Sequence, residues 1–161
     1  MGFFNKGGLT SGSLQPLSFD RIKATLDSIG WNWGVDDDGD IGGGWEDGSY
    51  FFLIRGEQQE VLYVRGLWRG RLGASEFDRV LRACNDWNSS HFWPKVYAVL
   101  IDDDQLVRVA SELVVDYEHG LSDAQLEQHL RCMVGTSEDF FAELAEKFPD
   151  AAAEYREPTS E

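Results

Sequence analysis

The chain has 161 residues and a mass of 18.2 kDa, the size of one domain. It sets 14 Lys and Arg against 29 Asp and Glu, a formal net charge of −15, with 42% hydrophobic residues. That apolar share supports a core and excludes global disorder. The charge repels phosphates and anionic head groups, so it argues against nucleic-acid and membrane-surface partners. Cys84 and Cys132 are too few for a disulfide scaffold, and both fall in amphipathic helical patterns, which predicts two buried, reduced thiols. With no leader-like N-terminus and no apolar run of about 18 residues, the sequence predicts a soluble, cytoplasmic protein.

In chain order, residues 1–16 are rich in Gly and Ser and predict a mobile N-terminal tail. A helix is expected from Ser18 as N-cap to Ile29, with Gly30 as its left-handed stop. An aromatic strand follows over Trp31 to Val35, then the turn Asp36-Asp37-Asp38-Gly39-Asp40. Ile41 to Asp47, interrupted by Gly42-Gly43-Gly44, reads as a short or bulged edge strand. Tyr50 to Arg55 and Gln59 to Trp68 read as further strands. In the latter, Val61, Tyr63 and Leu67 share one face while Leu62, Val64 and Trp68 share the other. Apolar residues on both faces suggest a central strand, or one face reserved for a partner.

A second helix is expected over about Ser75 to Asn88, with Phe77, Val80, Leu81, Cys84 and Trp87 on its apolar stripe. Strands over Pro94 to Ile101 and Leu106 to Tyr117 turn at Asp102-Asp103-Asp104. In the second, Val107, Val109, Leu113, Val115 and Tyr117 point one way, and Arg108, Glu112 and Asp116 the other. Ser122 and Gln125 form a capping box for a long last helix. Its stripe is Leu126, Leu130, Met133, Val134, Phe140, Phe141, Leu144 and Phe148, with Gly135 opposite, where a kink would leave the buried face intact. The expected architecture is α+β: an antiparallel sheet of about five strands with helices packed on it, in the order α-β-β-β-α-β-β-α. A single domain spans 17–149, and 150–161 reads as an acidic C-terminal tail.

No catalytic constellation stands out. The acidic turn at Asp36 to Asp40 fits a calcium loop badly: the glycine comes two residues early, and position 12 is Asp47. Asp-Gly between strands is a hairpin signal instead. His91, His119 and His129 have no zinc spacing, and Gly42-Gly43-Gly44 lacks the Lys-Ser/Thr of a phosphate loop, so neither a metal nor a cofactor is predicted. The protein is expected not to be an enzyme.

Among six tryptophans, Trp45 and Trp68 are the best candidates to lie outside the core. From Arg55 to Arg82, six arginines outnumber the acids. There, Arg65-Gly66-Leu67-Trp68-Arg69-Gly70-Arg71 mixes guanidinium groups with an indole, as recognition surfaces do. Trp45, Arg65, Trp68 and Arg69 are therefore the candidate protein-binding residues.

Several segments together resemble the bacterial YbjN-domain family, labelled as sensory transduction regulators. They are Val35-Asp36-Asp37-Asp38-Gly39-Asp40, Phe51-Phe52-Leu53, Val64-Arg65-Gly66-Leu67-Trp68, Cys84-Asn85-Asp86-Trp87-Asn88, Trp93-Pro94-Lys95 and Asp116-Tyr117-Glu118-His119-Gly120-Leu121. The resemblance implies a fold similar to class I type III secretion chaperones, which are small, acidic, often dimeric proteins that hold extended partner segments. It brings no catalytic residues. The function expected is a non-enzymatic protein-binding module, a regulator or chaperone-like adaptor, forming a homodimer and biased by its charge toward basic protein partners. The alternative is a small-molecule or metal-sensing domain using an aromatic pocket or the acidic turn.

Overall fold

The computed structural model describes residues 13–156. The remainder of both expected tails, 1–12 and 157–161, lies outside the described residues. Helix α1 (Phe19–Ile29) starts where the Ser18 hydroxyl accepts the Arg21 amide and stops at Gly30, whose φ of 76° lets its amide turn back to the last carbonyls. A two-residue strand β1 (Gly34–Val35) and β2 (Ile41–Gly44) then form a hairpin around the acidic turn. Only Gly34 and Val35 of the expected Trp31 to Val35 strand pair, because Trp31 is held by the α1 terminus through its amide to Leu26. Strands β3 (Gly48–Arg55) and β4 (Val61–Trp68) follow, then a second two-residue strand β5 (Leu72–Gly73). A turn of 3-10 helix (Ala74–Glu76) leads into α2 (Phe77–Ser90). Strands β6 (Lys95–Ile101) and β7 (Leu106–Asp116), α3 (Asp123–Lys147) and α4 (Pro149–Arg156) complete the chain.

All strand pairs are antiparallel. The sheet runs β1-β2-β3-β4-β7-β6, with β5 resuming the β4 line beside β7 after an interruption. Among the described residues the sheet thus has seven strands rather than about five. Strand β1 is the paired end of the expected aromatic strand, and β5, which no sequence signal marked, is too short to show a period and is made a strand by tertiary pairing alone. Strand β6 is an edge, and Asn88 closes part of it: its side chain donates to the Val96 carbonyl at 2.8 Å and accepts the Val96 amide at 3.0 Å.

The core lies between one face of the sheet and the helices. Tyr50, Phe52, Leu62, Val64, Trp68, Val107 and Val109 meet Ile22, Leu26, Val80, Trp87 and the α3 stripe there. Every residue of the α3 stripe expected from the sequence is buried, and the helix runs without a break past Gly135. Ser122 and Gln125 make the capping box in both directions. On α2, Ala83 rather than Leu81 joins the buried stripe. Helix α4 forms where an acidic tail was expected. Ala151 and Ala152 bury against the body, and Arg156 reaches back to the buried Asp47, whose carboxylate takes its guanidinium at 2.7 Å on both oxygens and the Tyr155 hydroxyl at 2.5 Å. The run 149–156 reads as polar because only two small alanines and one long-range ion pair hold it.

Candidate functional site on the open face of the sheet

The alternation seen in β4 decides the layout of the molecule. Leu62, Val64, Gly66 and Trp68 are buried under the helices, while Val61, Tyr63, Arg65 and Leu67 are half-buried on the opposite face. Register extends that second face across the sheet. Ser49, Phe51, Leu53 and Arg55 stand beside it on β3, and Arg108, Ala110, Glu112, Val114 and Asp116 on β7. Lys95, Tyr97, Val99 and Ile101 belong to it on β6. Among the described residues no helix packs on this face. The reading of β4 as a central strand therefore holds, and its second face is the open one.

A polar island sits in the middle of this surface. Glu112 accepts the hydroxyl of Tyr63 at 2.6 Å and that of Tyr97 at 2.5 Å, and pairs with the Lys95 ammonium on its other oxygen. Partial burial alone would raise the Glu112 pKa, but hydrogen bonds from Lys95, Tyr63 and Tyr97 outweigh it and hold the carboxyl below its usual range. The same contacts push Tyr63 up to about 12, burial first and the Glu112 bond second. Arg65 stands directly opposite Glu112 in the ladder, yet it makes no salt bridge and its buried Nε has no partner. Around the island the surface is apolar. Val114 is 58% exposed and Val99 38%.

The four residues singled out from sequence are not brought together. Arg65 lies at the centre of the open face. Trp68 is 6% exposed and belongs to the core, packed beside Phe148 and Tyr155 at ring separations of 6.4 and 6.5 Å. Trp45 is half-buried and stands edge-on to Trp31 and Tyr50 at 5.0 and 5.1 Å. Its ring crosses Gly43 so closely that a Cβ there would fall 2.8 Å from it. The expectation that Trp68 escapes the core is thus corrected: the alternation of β4 places it with Leu62 and Val64, and that outweighs its charged flanks, while Trp45 is half-buried against the edge of the core. Arg69 is exposed at the end of β4, its guanidinium against Gly44 on the side away from β7. The exposed aromatic pair is instead Phe92 and Trp93, 96% and 48% exposed, in the loop between α2 and β6. The sequence signal for them is position: they follow the end of a helix and precede Pro94.

The other candidates have structural roles. The Asp36 carboxylate accepts the amides of Asp38 and Asp40 at 3.0 and 2.9 Å, and Gly39 takes a φ of 88°, so the acidic turn is a hairpin tied by its own first residue. His91 stacks on Trp87 at 3.8 Å, His119 pairs with Glu118 at 3.1 Å on the surface, and His129 meets the Tyr117 hydroxyl. No three His, Cys, Asp or Glu side chains converge as a metal site among the described residues. Cys84 is buried, which pushes its thiol up to about 11, while Cys132 is only half-buried and is also raised by burial. Neither is an activated nucleophile at neutral pH. No helix among the described residues is long and apolar enough to cross a membrane.

Helices stacked on one side of an antiparallel sheet, with the other side bare, define an α+β protein that presents a broad surface rather than a closed cavity. Among solved structures, a crystal structure of YbjN from E. coli, described as "a putative transcription regulator", superposes with a TM-score of 0.71. It is 15% identical and the match covers 85% of this chain and 96% of that one, a likeness of fold. None of the curated proteins matches the chain. The model of the YbjN family, described as "Putative bacterial sensory transduction regulator", matches residues 18–146. The chain belongs to the YbjN family.

Proposed function

We propose that this chain is a non-enzymatic regulatory module that works by docking a protein partner on the open face of its sheet, as an adaptor in the bacterial cytoplasm. The observation that carries the reading is the bare face itself. Tyr, Arg and aliphatic side chains surround a hydrogen-bonded acid there, a composition typical of recognition surfaces, and Val114 on β7 and Val99 on β6 face solvent. An extended segment suits such a face, since its alternate side chains match the two-residue spacing of the strands beneath. The exposed Phe92–Trp93 pair lies off this face and is the surface to which we assign the homodimer.

Sensing a cation through the acidic turn is disfavoured, because the Asp36 carboxylate is already committed to two backbone amides. The docking reading is tested by capturing partners from bacterial lysate on immobilised wild-type chain and on the Val99→Asp/Val114→Asp variant. Both valines are exposed, so each substitution changes stability by only about 0.5 kcal/mol. Loss of a specific polypeptide is the expected result; an unchanged partner set at unchanged melting temperature would refute the role of the face.

A further inference from the structure

We infer that the partner segment docked on the open face is acidic. The inference rests on the docking role proposed above and assigns the chemistry of its occupant. The net charge of −15 points to basic partners, but the charge is not shared evenly. The open face holds four bases (Arg55, Arg65, Lys95 and Arg108) and two acids (Glu112 and Asp116), a local net charge of +2. The remaining ten bases and 27 acids leave −17 elsewhere. At physiological salt, fields fade over about 8 Å. A segment lying on the face therefore feels the arginines directly and the distant acids weakly.

Among the described residues the three arginines of the face have no ion-pair partner, although Arg55 donates to the Ile54 carbonyl at 2.9 Å and lies over the Tyr63 ring. Of the four bases only Lys95 forms a salt bridge among the described residues, to Glu112. Glu112 is held by Lys95, Tyr63 and Tyr97 instead, and makes no ion pair with Arg65 across the ladder. Arg65 carries a buried Nε with no acceptor, which is costly until one arrives. A carboxylate is the acceptor that a guanidinium fork fits best. At the rim, the β4–β7 ladder ends at Leu67–Ala110 and resumes at Leu72–Val107. The interruption opens a cavity of about 300 Å³ lined by Arg69, Arg71 and Arg108 against a single acid, Asp102.

Other occupants fit less well. A second copy docked face to face about a two-fold axis would set one positive surface on another. Residues 1–12 of the chain carry Lys6 as their one charge and offer no carboxylate. A nucleic acid would meet only three arginines on a largely apolar surface while its dense phosphates skirt the acidic remainder.

The test is a titration of the full chain, by fluorescence anisotropy at 150 mM salt, with a fluorescein-labelled ten-residue peptide of alternating valine and glutamate. The valine–lysine counterpart and a twelve-nucleotide oligothymidylate are titrated alongside. Saturable binding of the acidic peptide is expected, weakened at least tenfold in Arg55→Glu/Arg108→Glu, whose residues are both exposed. Arg65→Gln should weaken it as well without placing a new charge beside Glu112. Several results would overturn the inference: no saturable binding, binding indifferent to these arginines, or tighter, arginine-dependent binding of the oligonucleotide. Binding that emerges only after residues 1–12 are deleted, or self-association abolished by Val99→Asp/Val114→Asp, would do the same by giving the face to this chain. If the valine variant loses its lysate partner while the acidic peptide fails to bind, the docking face stands and only its acidic preference falls.

Discussion

Trp68 and Val114 look alike in the sequence, each an apolar residue in a strand flanked by charge, but they stand on opposite faces of the sheet. Trp68 fills the core beside Phe148, so Trp68→Ala should cost about 3–5 kcal/mol, visible as a large drop in the urea midpoint. Substitution at the exposed Val114 should leave that midpoint in place. Glu112 supplies a second test at this scale. Its pKa is lowered in the fold, so it contributes stability above the unfolded value near 4.5 and loses it as pH falls through the folded value. Tyr97→Phe removes one of the hydrogen bonds that hold the carboxyl down. The Glu112 carboxyl, followed by NMR, should then titrate at higher pH than in the wild type. An unmoved titration would mean that Lys95 and Tyr63 set the shift without Tyr97. Period-two alternation was enough to assign the face of Tyr63, Glu112 and Trp68 from sequence. It could not show which face the helices would cover, and flanking charge misdirected the reading of Trp68.

Elements with their own local signals were legible. Ser18 and Gly30 bracket α1, and Ser122 with Gln125 opens α3, because capping is chemistry within a few residues. Elements held by distant contacts were not. Helix α4 depends on Asp47, which is 3% exposed and lies more than a hundred residues away in the chain. Asp47→Ala should strip Tyr155 and Arg156 of their shared acceptor at a cost of about 2 kcal/mol, discounted because the Arg156 side chain is 41% exposed. Hydrogen exchange should quicken in 149–156 before it does in α3; uniform exchange across both helices would count against this anchoring. The β6–β7 turn is the opposite case, a local device under strain. Asp102, Asp103 and Asp104 all adopt positive φ, between 52° and 61°, where a residue with a Cβ is disfavoured. Asp103→Gly relieves that strain and removes one of three adjacent like charges. It should therefore raise stability by roughly 0.5–1 kcal/mol, after the entropy glycine adds to the unfolded chain. A lower melting temperature would show that the aspartate is needed in the turn.

At the scale of the whole molecule, an excess of fifteen negative charges opposes the compact state, and one half-buried acid adds a specific term of the same sign. Glu138 reaches from α3 to the sheet, where one oxygen accepts the Tyr50 hydroxyl at 2.7 Å and the other the Asp47 amide at 3.0 Å. Burial raises its pKa, and the two hydrogen bonds only partly offset that. The folded chain then holds a proton on Glu138 at pH values where the unfolded chain has released it. Stability from this group is complete below the unfolded value near 4.5 and declines as pH rises from there through the folded value. Glu138→Gln keeps the shape and can still accept the Asp47 amide while turning its own amide to the Tyr50 oxygen. The variant should therefore gain on the wild type as pH rises from about 4.5 toward neutrality, read as diverging urea midpoints. Salt separates the two contributions: raising it to about 0.3 M screens the overall repulsion and should lift both proteins equally at neutral pH. The gap between them should persist, because the Glu138 contribution comes from burial. A gap that closes with salt would assign the pH dependence to net charge alone.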